Sequence, residues 1–415
     1  MLKILKVTFV IVVLFMSFMV GCKNSSEVQD TSSINENDAP STNENAEQFN
    51  KSPREIEIEN MSLNEKFGQL MCLDFRFWNG EPVTQICDEI KDIISKYHIG
   101  CVILFSENFK TKEQSKKLVS SFKQVAKDAG DPPMLICVDQ EGGTVERFSF
   151  NRGRLENNTP IGKKANPEAA AFKKGEIIAT ELAELGINCD LAPVVDINSN
   201  PKNPIIGVRS FGTTPEIVSL CGVSFMEALH SKNILATAKH FPGHGDTATD
   251  SHVELPIVNK TLKELENMEL KPFKQMINAG VDLIMAAHIQ VPALEPSTIT
   301  SKKDGKQIFV PATLSKKILT GLLRESLNYQ GVIITDGMDM KAITDNIDEI
   351  DAVKMAISAG ANILCMPVIL REKSDIQKLD NIFKALTDAV ETNEISINQI
   401  NNSMKYILDL KDKLK

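Results

Sequence analysis

The chain has 415 residues, 42% of them hydrophobic and 24% charged, enough apolar mass for a large core. A net charge of −9 at pH 7 leaves no basic footprint, which argues against nucleic acid as the main partner. Beyond Cys22 the remaining cysteines (eight less one, seven) are odd in number and include no C-x-x-C pair, so their spacing indicates neither a disulfide framework nor a thiolate zinc site.

Residues 1–22 read as an export signal. Lys3 and Lys6 precede the apolar stretch Val7 to Val20, and Gly21-Cys22 follows. The stretch is short for a spanning helix, which needs about 20 apolar residues. Its ending, Met19-Val20-Gly21-Cys22, resembles a bacterial lipobox, which would make Cys22 the lipidated first residue of the mature chain. The alternative is an uncleaved anchor with an incidental cysteine. Both readings place the protein outside the cytoplasm, held at the cell membrane. Residues 23–52 are rich in Ser, Asn, Glu, Asp and Thr and cannot bury enough apolar surface to offset ordering, so a disordered tether is expected there. The folded part, residues 53–415, starts near Pro53.

From there, short apolar runs recur, each followed by a longer amphipathic stretch. The runs are Gly68–Phe75, Cys101–Phe105, Met134–Asp139, Asn188–Asp196, Thr237–Phe241, Leu283–Ile289, Val332–Asp336 and Asn362–Met366. Between them lie helix-length patterns such as Lys112–Ala129, Pro167–Leu185, Pro215–Ser231, Leu262–Ala279 and Ser315–Ser326. Uninterrupted apolar runs suit parallel strands buried on both faces. Cys72, Cys101, Cys137, Cys189 and Cys365 fall inside these runs and read as small buried hydrophobes. Eight βα units point to an α/β fold, a (β/α)8 TIM-like barrel as a single catalytic domain. A doubly wound open sheet is the alternative that periodicity leaves open. The last patterns, Ser374–Thr392 and Ser396–Lys413, are expected to pack against the barrel, with no second domain after them.

Polar groups stand where the strands end: Asp139-Gln140-Glu141-Gly142-Gly143, Asp196, Lys239-His240, His288 and Asp336-Gly337. In a barrel that edge is where active sites gather. The stretch Lys239-His240-Phe241-Pro242-Gly243-His244-Gly245-Asp246, continuing to Asp250-Ser251-His252, holds three of the six histidines within 13 residues. Such a cluster suits metal ligation, but Lys239 puts a cation where a metal ion would sit and no H-E-x-x-H spacing occurs. An incidental solvated loop is the bland alternative. The remaining reading is sugar binding with acid/base work: Lys239 and His240 donate to hydroxyls, His252 carries the proton and Asp250 orients it. Asp336, closing Val332-Ile333-Ile334-Thr335, suits attack on an anomeric carbon, and equally suits an N-cap for the next helix.

Together these motifs resemble glycoside hydrolase family 3, in particular its single-barrel β-N-acetylglucosaminidases. The resemblance runs from about Met61 to Pro367 and rests on five segments in order. These are Val138-Asp139-Gln140-Glu141-Gly142-Gly143, Gly207-Val208-Arg209-Ser210-Phe211-Gly212, Lys239 to Thr247, Asp250-Ser251-His252, and Thr335-Asp336-Gly337-Met338. It implies that Asp336 is the nucleophile and that Asp250 and His252 form an acid/base dyad. It also implies that Asp139, Arg209, Lys239 and His240 hold the sugar, with Arg147 and His244 as neighbours of the pocket. The implied substrate is an N-acetylglucosamine-containing glycan or muropeptide, cleaved with retention, and neither cofactor nor metal is implied. A single tryptophan, Trp78, and three tyrosines suit a pocket for one terminal sugar rather than a cleft. A phosphorylase and a non-catalytic sugar-binding lipoprotein are the competing readings.

Overall fold

The computed structural model describes residues 51–249, 251 and 254–414. The leader with Cys22, the polar segment to residue 50, and both Asp250 and His252 lie outside the described residues. Among the described residues, no helix is long and apolar enough to cross a membrane.

Eight parallel strands form the core: β1 (Met71–Asp74), β2 (Cys101–Leu104), β3 (Leu135–Val138), β4 (Cys189–Asp190), β5 (Leu235–Phe241), β6 (Leu283–Ala286), β7 (Val332–Thr335) and β8 (Leu364–Cys365). Every residue of all eight strands is buried, as expected of a sheet covered on both faces. Each strand pairs with the next in chain order, and β8 returns to β1 through Cys72 opposite Cys365. The Ile334–Ile363 bridge closes β7 to β8, with Thr335 N–H donating to Ile363 at 3.0 Å and Ile363 N–H to Ile333 at 3.1 Å. The ring is closed, and the open doubly wound sheet is ruled out.

Three expected elements differ. The run Asn188–Asp196 forms a two-residue strand, because Pro193 has no N–H to give a ladder; a bridge from Val194 to Lys239 resumes the pairing. Leu262–Ala279 splits into Leu262–Asn267 and Leu270–Asn278. Pro272 would leave the Met268 carbonyl unpaired in a continuous helix and collide with it. The buried Glu269 at the break pairs with Lys260. Lys317–Ser326, within the expected Ser315–Ser326 helix, winds as a wider π-helix. The other helices follow the reading closely, Pro167–Leu185 to the residue, started by Asn166 accepting from Ala169 N–H and stopped at Gly186 in the left-handed region.

Candidate active site

The C-terminal strand ends open on a cavity of about 480 Å³, within the range of small-molecule sites. The DQEGG turn after β3 is possible because Gly142 and Gly143 adopt positive φ (76° and 77°), and a side chain at either would strike Lys174 or Asn157. That turn places Asp139 at the cavity and tucks Glu141 beneath it.

A buried charge lattice results. Lys239 Nζ, at the end of β5, lies 2.7 Å from Asp139 Oδ1 and 2.8 Å from Glu141 Oε1. Arg147 Nη2 binds the other Asp139 oxygen at 2.9 Å. Arg209, on the Gly207–Arg209 turn, clamps Glu141 with two bonds, Nε to Oε2 at 2.9 Å and Nη2 to Oε1 at 2.6 Å. Burial opposes ionisation of both carboxylates, yet the facing cations outweigh it: Lys239 and Arg147 hold Asp139 well below its usual range, and Arg209 and Lys239 bring Glu141 down to about 2. The same partners raise Lys239 and Arg209 against burial. Phe105, ending the β2 run, is flanked by the Arg76 guanidinium at 3.6 Å and that of Arg147 at 5.0 Å.

The imidazoles are oriented from behind. Asp196 takes His240 Nδ1 at 2.6 Å, which leaves Nε2 for the cavity, and also accepts the His240 and His244 backbone N–H groups at 3.1 and 2.6 Å. His244 is enclosed, with Nδ1 2.9 Å from Thr247 Oγ1 and Nε2 3.2 Å from Ser251 Oγ. Burial, with His240 alongside, brings it down to about 4, so it is neutral at pH 7. The loop is closely fitted: a Cβ on Gly245 would come 1.7 Å from the Ile197 carbonyl oxygen.

Asp336 leaves β7 and lines the cavity. Its Oδ1 accepts from Gly337 N–H at 2.8 Å. The next helix, Lys341–Thr344, is capped by Met340, so the N-cap reading of Asp336 does not hold. Burial would raise its pKa, but His240, His288, the Gly337 N–H and Lys239 together hold it below the usual carboxylate value. His288 is itself fixed between Thr313 Oγ1 (2.8 Å) and the Gly337 carbonyl (2.9 Å).

Asp139, Arg147, Arg209, Lys239, His240, His244 and Asp336 therefore all line one cavity. Asp250 and His252 are outside the described residues; Ser251 between them is buried, lines the cavity, and accepts from Ala342 N–H at 3.3 Å. The sequence reading gave no role to Glu141, which ties Arg209 to Lys239, or to Arg76 and Asp339 on the same cavity. Trp78 is buried away from it.

A closed parallel barrel with ionised carboxylates, cations and imidazoles converging on its C-terminal rim is the layout of barrel enzymes. Residues 62–410 match the glycosyl hydrolase family 3 N-terminal domain, and the chain belongs to that family. It is 38% identical over 375 residues to beta-hexosaminidase A of Pseudoalteromonas piscicida, which covers 85% of this chain and 62% of the relative. The beta-hexosaminidase of Nitrosomonas eutropha is 33% identical over 271 residues, 64% of this chain and 73% of its own length. Among solved structures, a glycoside hydrolase family 3 beta-N-acetylglucosaminidase from Paenibacillus sp. str. FPU-7 superposes with a TM-score of 0.76 at 37% identity. That match covers 85% of this chain and 62% of the other. The chain thus spans less than two thirds of the Pseudoalteromonas and Paenibacillus proteins.

Proposed function

We propose that the chain is a retaining exo-β-N-acetylglucosaminidase that releases terminal N-acetylglucosamine from peptidoglycan fragments. The observation that carries this reading is Asp336: an aspartate held ionised at the end of β7, on the cavity shared with Lys239, Asp139, Arg147 and His240. The hexosaminidase names of the relatives support the sugar, and the export signal with Cys22 supports a site at the cell surface.

In the first step Asp336 attacks the anomeric carbon while the leaving oxygen takes a proton from His252, giving a glycosyl-aspartate. In the second, water gives its proton to His252 and displaces Asp336, so configuration is retained. Asp250 holds the imidazole in position. Retaining enzymes ordinarily pair two carboxyl groups. Here Asp139, Glu141 and Asp196 are each engaged by cations or imidazoles, which favours a histidine donor.

One rival for the proton donor is specific. Asp339 lines the same cavity, burial raises its pKa, and its Oδ1 has no hydrogen-bond partner among the described residues. The test of the function is hydrolysis of nitrophenyl β-N-acetylglucosaminide by the wild type and by Asp336→Ala. The proposal expects turnover with a β-configured product in the first and none in the second. Normal turnover by the variant would remove Asp336 from its role. Sugar 1-phosphate appearing on addition of phosphate would favour a phosphorylase.

A further inference from the structure

Five strands of the barrel carry a cysteine: Cys72 on β1, Cys101 on β2, Cys137 on β3, Cys189 on β4 and Cys365 on β8, all buried and all free thiols. Register sets Cys72 beside both Cys101 and Cys365, and Cys137 beside Cys189. The Sγ atoms of Cys72 and Cys101 lie 2.8 Å apart, those of Cys101 and Cys137 3.4 Å apart, and all three lie within 4.8 Å of one another. Around one ion with metal–sulfur bonds near 2.3 Å, thiolate sulfurs stand about 3.8 Å apart in tetrahedral and about 4.0 Å apart in trigonal geometry. Shifts of about an ångström would bring the three sulfurs to those spacings.

Cysteines as small apolar filling would explain the thiols but not what lies beneath them. Lys411 is buried at the N-terminal end of the barrel, where it donates to two neutral acceptors, Gln69 Oε1 at 2.5 Å and the Gly100 carbonyl at 2.9 Å. Gly100 is the residue before Cys101, so the ammonium stands at the base of β2. At the opposite end Cys365 lines the cavity, so the row of thiols leads from the cavity floor to the buried cation.

We propose that Cys72, Cys101 and Cys137 form a binding site for a soft d10 divalent cation of the zinc and cadmium class, separate from the sugar-binding groups. On binding, each thiol gives its proton to solvent and its sulfur to the ion. The two charges of the ion and the one on Lys411 then offset three thiolates, so the low-dielectric interior carries no net charge there. Zinc and cadmium prefer sulfur donors of this kind, whereas magnesium and calcium do not.

The test is titration of the reduced full chain with cadmium chloride, followed by gel filtration and the ultraviolet thiolate-to-cadmium charge-transfer band. About one retained ion per chain is expected. Cys101→Ala should lose it, and Cys221→Ala, altered on an outer helix, should keep it. Should Cys101→Ala fold poorly, alkylation mapping of the wild type decides. With free cadmium at about ten times its dissociation constant, labelling of Cys72, Cys101 and Cys137 slows roughly tenfold while Cys87 is unaffected. No retained cadmium in the wild type, equal retention by Cys101→Ala, or unchanged labelling would each overturn the site.

Discussion

Lys239 Nζ lies 2.7 Å from Asp139 Oδ1, and the pair joins the cavity to the buried charges behind it. The same ammonium touches Glu141, so a single cation spans two carboxylates that Arg147 and Arg209 complete from the far side. Removing one member of a buried ion pair costs about 3–5 kcal/mol because its partner is left uncompensated. Lys239→Met should sit near the lower end, about 3 kcal/mol, since each carboxylate keeps one arginine. Urea unfolding measures this, and kcat/KM should fall in the same variant.

Asp196 accepts His240 Nδ1 and two backbone N–H groups, that of His240 at the end of β5 and that of His244 in the loop after it. In Asp196→Asn the amide oxygen can replace only part of this, and an unsatisfied buried donor costs about 1–3 kcal/mol. The expected outcome is a matching loss of stability together with at least a tenfold drop in kcat/KM, because His240 loses the charge that fixes its ring. Steady-state kinetics beside a denaturant curve check both parts.

Stability should fall steeply in acid. Asp139, Glu141 and Asp336 are all held below their ordinary pKa values, so their contribution is complete above the unfolded-state range near 4 and is lost as pH falls through the folded values. Asp190 works in the opposite sense. It is fully buried, one oxygen accepts from Gln140 N–H at 3.0 Å and the other has no partner among the described residues, and burial pushes its pKa well up. A raised carboxyl loses stability as pH rises from about 4 toward its folded value. Asp190→Asn, which resembles the neutral acid, should therefore gain on the wild type as pH rises from 4 to 8, as followed by urea midpoints.

The proton donor can be separated by leaving group. His252→Ala should slow alkyl N-acetylglucosaminides far more than nitrophenyl ones, whose leaving group needs little protonation. Asp339→Asn should slow both alike and modestly. The reverse pattern would transfer the role to Asp339.

Much of this was visible in the chain itself, and the rest was hidden for physical reasons. Val332-Ile333-Ile334-Thr335 followed by Asp336 is a buried strand ending in a carboxylate, and the Lys239-His240 pair at the end of β5 reads the same way. Glu141 was part of a recognised segment, but its partner Arg209 lies 68 residues away, a distance that no local pattern bridges. The cysteines show the same limit more sharply. Their spacing in sequence carries no ligand pattern, and only ring closure brings β8 beside β1 and sets Cys365, Cys72 and Cys101 in a row. Pro193 and Pro272 marked the places where two expected elements break, a signal present in the sequence but overridden by the long apolar runs around them.

The most direct measurement concerns Asp336. Incubation with a 5-fluoro N-acetylglucosaminyl fluoride, which forms a glycosyl-enzyme faster than it is hydrolysed, followed by mass spectrometry of the digested protein, should find a glycosyl adduct on the peptide carrying Asp336. Continued turnover without any adduct, or an adduct on another carboxylate, would contradict nucleophilic attack by Asp336.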